Sequence, residues 1–134
     1  MPYLKMSTQH ILSLETLNKV FKEVLIGNYA FGFIKVNKQA KKTEFIPMYV
    51  GRSDNDLKKE IYQQGLILKV KDGKQIYTHF KFSIAKNIKE AYLKECKNYH
   101  DYHDLGLLDN KIHPKRPSKY KISTLPCSKL KCLN

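Results

Sequence analysis

The chain has 134 residues, 42% of them hydrophobic and 28% charged, with 25 lysines and arginines against 12 acids and a formal charge of +13. That is the length of one domain around one core, with no apolar run near the about 20 residues of a membrane span and no basic head leading into a long apolar stretch as in a secretory leader. The charge points to nucleic acid, held through phosphate contacts and counterion release.

Apolar Leu14, Leu17, Phe21, Val24 and Leu25 recur at helical spacing and predict a helix over 13–25. Ser13 is its N-cap, Glu15 suits the positive end of its dipole, and Gly27 is its stop. Tyr29, Phe31, Phe33, Ile34 and Val36 predict a strand over 29–36, followed by a polar hairpin loop over 37–44. The run from Phe45 to Val50 is the returning strand. Pro47 lacks a ladder donor, which predicts an edge position or a bulge. Gly51-Arg52-Ser53-Asp54 then reads as a tight turn into a helix, a junction that presents backbone N–H groups and Arg52 where a phosphodiester can sit. The hairpin brings Tyr29 and Tyr49 toward one place, although tyrosine pairs are also ordinary core residues.

Asp54 is placed to cap a short helix through Leu57 and Ile61 that stops at Gly65, with Lys58, Lys59 and Glu60 exposed. Residues 66–70 and 75–84 read as strands joined by an Asp72-Gly73 turn. In the second, Ile76, Thr78, Phe80, Phe82 and Ile84 share one face, and Tyr77, His79, Lys81 and Ser83 the other. His79 is thus a site histidine or a surface one.

Asn87 caps the longest predicted helix, 88–104, with Ile88, Ala91, Tyr92, Cys96, Tyr99 and Tyr102 as its stripe. Glu95 falls inside that stripe. A core-facing carboxylate costs several kcal/mol unless it is paired or binds a cation. As a hard oxygen ligand it suits Mg²⁺ or Mn²⁺ beside a phosphate; the alternative is a half-exposed Glu bonded to a lysine or a tyrosine hydroxyl. His100, Asp101, His103 and Asp104 read as a solvated helix end, with histidine favoured near the negative end of the dipole, in preference to a metal site. Gly106 closes the helix. Beyond Asp109 there is no acid, and the tail carries Lys111, His113, Lys115, Arg116, Lys119 and Lys121 as candidate nucleic-acid contacts. Cys96, Cys127 and Cys132 form no CxxC pair and fit free thiols in a reducing, cytoplasmic setting.

Taken in order, Gly27-Asn28-Tyr29, Tyr49-Val50-Gly51-Arg52-Ser53-Asp54, Ala91-Tyr92-Leu93-Lys94-Glu95-Cys96, and Asn110 before His113-Pro114-Lys115-Arg116-Pro117 resemble the GIY-YIG nuclease superfamily. The likeness is to its small stand-alone bacterial members and spans about 25–127 of a single domain, 1–134, with helix 13–25 ahead of it and a basic tail over 111–134. It implies an α+β fold, a small mixed and mainly antiparallel sheet flanked by helices. It implies a divalent-metal-dependent endonuclease acting on DNA ahead of RNA. Glu95 would bind Mg²⁺ or Mn²⁺, Tyr29 or Tyr49 would activate water with help from His79, Arg52 or Lys59 would neutralise charge at phosphorus, and Asn110 would support the site. The sequence departs from that pattern where Lys58-Lys59-Glu60 stands in place of a helix arginine, Gln63-Gln64-Gly65 in place of a histidine, and Asn28 in place of an aliphatic residue. The alternative is a catalytically silent nucleic-acid-binding module on the same fold. No membrane partner is expected, and the oligomeric state is left open.

Overall fold

The computed structural model describes residues 4–117. In chain order the elements are β1 (His10–Ile11), α1 (Leu14–Val20), β2 (Gly27–Asn37), β3 (Lys42–Ser53), α2 (Leu57–Tyr62), a π-helical turn (Gln63–Leu68), β4 (Val70–Lys71), β5 (Lys74–Gln75), β6 (His79–Ile84) and α3 (Ile88–His103). Four strands form one sheet in the order β1-β6-β2-β3, and β4 and β5 form a small separate ladder. Every pairing is antiparallel. This is the α+β architecture the sequence implies. Among the described residues no helix is long and apolar enough to cross a membrane.

The frame is the β2–β3 hairpin, whose register runs from Gly27 opposite Ser53 to Asn37 opposite Lys42. Side chains alternate across β2, so Tyr29 and Phe31 face one side and Asn28 and Ala30 the other. Helices α1 and α2 cover the first side in a core built on Leu17, Phe31, Leu57, Ile61 and Phe80. Helix α3 covers the second, where Tyr99 and Tyr102 meet Ala30 and Val50. With both faces covered, β2 is buried from Gly27 to Gly32, while its outer half from Phe33 onward reaches beyond the core.

Pro47 sits on edge strand β3 and beside a bulge: Phe31 pairs with Tyr49 and Gly32 with Pro47, which leaves Met48 as the extra residue. The edge is not bare there. The Asp109 N–H donates to the Met48 carbonyl at 2.6 Å, and the Asn110 side chain holds Val50 from both sides, accepting from its N–H at 2.9 Å and donating to its carbonyl at 2.8 Å. The chain after α3 thus covers a strand edge that would otherwise invite pairing.

Local chemistry explains the caps and the departures from expectation. Ser13 accepts from the Thr16 N–H and Asn87 from the Glu90 N–H, as their N-cap positions require. Helix α1 nevertheless ends at Val20 instead of running to 25: Phe21 turns into the core in an extended conformation, Val24 is exposed, and Gly27 opens β2 rather than stopping a helix. Asp56, not Asp54, caps α2 by accepting from the Lys59 N–H. The helix does not stop at Gly65, which is buried against Leu12 and Phe31; the chain keeps coiling to Leu68, and the expected strand 66–70 shrinks to Val70–Lys71. The Asp72-Gly73 turn forms as predicted, with φ of 53° and 78°. Strand β6 begins only at His79, so the alternation drawn from 76 is wrong at its start. Tyr77 is buried, its hydroxyl donating to Asp109 Oδ2 at 2.6 Å, and Ile76 is exposed.

Candidate active site

The open end of the hairpin sets Tyr29 opposite Gly51. A Cβ at 51 would overlap the Tyr29 phenol, so the bare glycine is what lets that ring lie across β3. The Tyr29 hydroxyl donates to Glu60 Oε2 at 3.1 Å. Glu60 reaches it because Leu57 and Ile61 anchor α2 in the core, and the residue three beyond Leu57 shares that inward face. The sequence reading of Glu60 as an exposed position is therefore corrected: it is half-buried and bonded to the phenol.

Arg52 follows Gly51 and points to the α3 side of the sheet, since it pairs with Asn28. Its Nη1 donates to Glu95 at 2.5 Å, its Nε to Asp54 at 2.9 Å, and its Nη2 to the Lys115 carbonyl at 2.6 Å. The guanidinium also lies 5.3 Å from the centre of the Tyr92 ring. Asn28 fixes α3 in place: its buried amide donates to the Ala91 carbonyl at 2.8 Å, one turn before Glu95. The polar residue that departs from the aliphatic pattern thus has a task in positioning the helix.

These groups line one cavity of about 360 Å³, bounded by Tyr29, Tyr49, Gly51, Arg52, Asp54, Glu60, Glu95 and Lys115. Burial pushes the Glu95 carboxyl up to about 7, against the pull of Arg52. Burial also raises Glu60, opposed by the Tyr29 hydrogen bond. The Tyr29 phenol lies well above its ordinary range, through burial first and Glu60 second. Tyr49 is also raised, by burial first and Glu95 second, and Lys69 Nζ stands 3.8 Å over its ring. Burial works against the Arg52 charge, but Glu95 and Asp54 outweigh it.

The chain matches no family model, no curated protein and no solved structure. The site is therefore read from its own chemistry.

Of the residues singled out from sequence, Tyr29, Tyr49, Arg52, Glu95 and Lys115 converge on the cavity. Lys59 does not line it; it is exposed on α2 beside an adjoining hollow of about 310 Å³ that shares Ser53, Asn55 and Glu60 with the first. His79 does not reach it. It pairs with Gly32, three positions along β2 from Tyr29, and its Nδ1 lies 2.8 Å from the Thr78 hydroxyl. That register sets it on the opposite face from Tyr29, so its proposed help to the phenol is withdrawn. Asn110 touches the backbone of Val50 and not the cavity, which makes it a support for β3. Lys111 is exposed, Arg116 is half-buried, and His113 sits against Cys96 on α3. Lys119, Lys121, Cys127 and Cys132 lie outside the described residues.

Sequence reasoning missed two acids. Asp54 serves Arg52 and not a helix N-cap; the cue was that Asp56 stands one residue ahead of the apolar Leu57, the usual place for a cap. Glu60 was legible as the third residue after Leu57 on the same inward face. With Glu95 they border the cavity, Glu60 bonded to Tyr29 and the other two to Arg52.

Proposed function

We propose that the chain is a divalent-metal-dependent nuclease that hydrolyses phosphodiester bonds, with DNA the favoured substrate. The observation that carries this reading is Glu95, a carboxyl buried to within 9% of full burial and held near neutrality, in a cavity that also presents Arg52 and the Tyr29–Glu60 pair. Carboxyls shifted by burial beside a charged partner in a cleft are common at active sites. The +13 charge supplies attraction for the substrate backbone.

Glu95 and Asp54 would hold Mg²⁺ or Mn²⁺, which when bound polarises a phosphate oxygen. The chain's own residues do the rest. Tyr29 accepts a proton from the attacking water at its hydroxyl oxygen while passing its own proton to Glu60, to which it already donates. Burial keeps the phenol neutral, so it acts as a relay, and Glu60, raised by burial, is the final acceptor. Arg52 carries donors fixed by Asp54 and by the Lys115 carbonyl and neutralises charge developing at phosphorus. Tyr49 borders the same space and orients the water.

A second reading, a silent nucleic-acid-binding module, is favoured by one contact: Arg52 already pairs with Glu95 and satisfies it without a cation. The two part on one experiment. Purified protein is incubated with supercoiled plasmid and Mg²⁺ or Mn²⁺, beside Glu95→Gln, which keeps the shape and a hydrogen bond to Arg52, and Glu95→Ala. Nicking by the wild type alone supports the nuclease. Salt-sensitive binding without nicking under either metal overturns it in favour of the binder. Equal nicking by all three removes Glu95 from the site.

A further inference from the structure

Next to Glu95, α3 carries a different donor set. Cys96 and His100 stand one turn apart and leave the same face of the helix. The chain beyond the helix turns back and brings His113 against them. One ligand atom from each of Cys96, His100 and His113 lies within 4.8 Å of the others. We propose that these three side chains bind a zinc-type transition-metal ion, through Cys96 Sγ, an imidazole nitrogen of His100 and His113 Nε2, separate from any hard cation at Glu95.

Distances, tautomer and donor chemistry agree. Zinc bonds of about 2.3 Å to sulfur and about 2.0–2.1 Å to nitrogen, at tetrahedral angles, set neighbouring donors roughly 3.3–3.6 Å apart. Cys96 Sγ and His113 Nε2 are 3.4 Å apart. His113 Nδ1 lies 2.8 Å from the Pro114 carbonyl, which only accepts, so Nδ1 carries the proton and Nε2 offers its lone pair toward the thiol. His100 Nδ1 lies 3.4 Å from the Asp104 carboxylate. A backbone carbonyl on one imidazole and a carboxylate on the other are the outer partners that orient metal-bound histidines. Thiolate and imidazole together select zinc-like ions over Mg²⁺. Cys96 is fully buried, and the His100 side chain is 12% exposed, so the site is shielded yet reachable.

The ion would staple the segment after α3 to the helix. That segment supplies the Lys115 carbonyl to Arg52 and the Asn110 clamp to Val50. A soft-metal staple on α3 would therefore hold the arm whose Lys115 lines the cavity. The proposal does not rest on the nuclease reading, and its test needs no substrate.

The test uses the full chain with its native cysteines, beside Cys96→Ser. After chelation under reducing conditions it is titrated with Co²⁺ and then Zn²⁺. The expected result is a thiolate-to-cobalt charge-transfer band and four-coordinate visible bands that saturate at one equivalent and vanish as Zn²⁺ displaces cobalt. Zn²⁺ should raise the thermal midpoint by several degrees, with excess Mg²⁺ present making no difference. Cys96→Ser should lose the band. His113→Gln, on a half-exposed segment and so safe for folding, should weaken Zn²⁺ at least about tenfold, and Asp104→Asn should weaken it by about the same factor through His100. A folded chain that shows neither the band nor the Zn²⁺-dependent shift overturns the proposal. So does a band with unchanged affinity in His113→Gln, which would place the ion elsewhere.

Discussion

Asn110→Ala removes the two hydrogen bonds that hold the Val50 backbone from outside the sheet, at 2.9 and 2.8 Å. Val50 is 1% exposed, and its side chain anchors the α3 face of the core. Leaving a buried donor or acceptor unmet costs about 1–3 kcal/mol each. Some of that returns because water can enter at a strand edge, so the expected loss is about 2–3 kcal/mol for the pair. In a domain of this size that is a fall of roughly 10 °C in thermal midpoint. Asn110→Asp keeps the acceptor for the Val50 N–H but sets a second carboxylate oxygen against the Val50 carbonyl, and is expected to cost at least as much. The assay is urea unfolding followed by circular dichroism, with the midpoint shifted and the slope unchanged. A loss below about 0.5 kcal/mol in both variants, with binding or cleavage nonetheless abolished, would refute the clamp and return Asn110 to direct contact with substrate.

Three further perturbations probe the same site. Gly51→Ala sets a methyl into the Tyr29 phenol and should destabilise by about 1–3 kcal/mol, read by the same unfolding assay; no change would mean the ring is free to move. Tyr29→Phe keeps the packing but deletes the donor to Glu60; plasmid nicking should fall by about 10²–10⁴-fold with the fold intact, and wild-type nicking rates would remove the relay. Glu95 supplies a pH dependence. Its folded value, about 7, lies above its ordinary 4.5, so the native state holds a proton that the unfolded chain releases. The stability linked to it is full below about 4.5 and is lost as pH rises to about 7. In chelator, the midpoint of wild type relative to Glu95→Gln should decline across that window, and excess Mg²⁺ should reduce the decline; parallel curves would contradict the assignment.

The parts of this fold that were legible from sequence are those fixed by neighbours in the chain. The Ser13 and Asn87 caps, the Asp72-Gly73 turn and the bulge at Pro47 each follow from one residue's local options. Glu95 stood out because a carboxylate on an apolar stripe has few places to go. What failed was set by tertiary contact. Gly65 looks like a stop until Leu12 and Phe31 close over it. Tyr77 follows the alternation on paper, but its strand has not yet begun, and Asp109 draws its hydroxyl inward. His79 could be assigned to a face but not to a position along the hairpin, and only the register places it away from Tyr29. Cys96 and His100 were visibly one turn apart, whereas the return of His113 depends on how the chain leaves the helix.

The extra residue at Met48 also resets the alternation of the hairpin. Ile46 and Tyr49 are three residues apart, yet they oppose Phe33 and Phe31 and so share a side of the sheet. Below that step β2 is paired on both sides; above it, Phe45 still packs on the α3-side core and Phe33 lies 5.8 Å from the Tyr77 ring, and only the turn beyond them is free of the body. Paired residues can therefore be added to or trimmed from the arm near 38–41 without changing which way Tyr49, Gly51 and Arg52 are aimed. The exposed tip of this hairpin is where a graft, a label or a change of length should leave the cavity undisturbed.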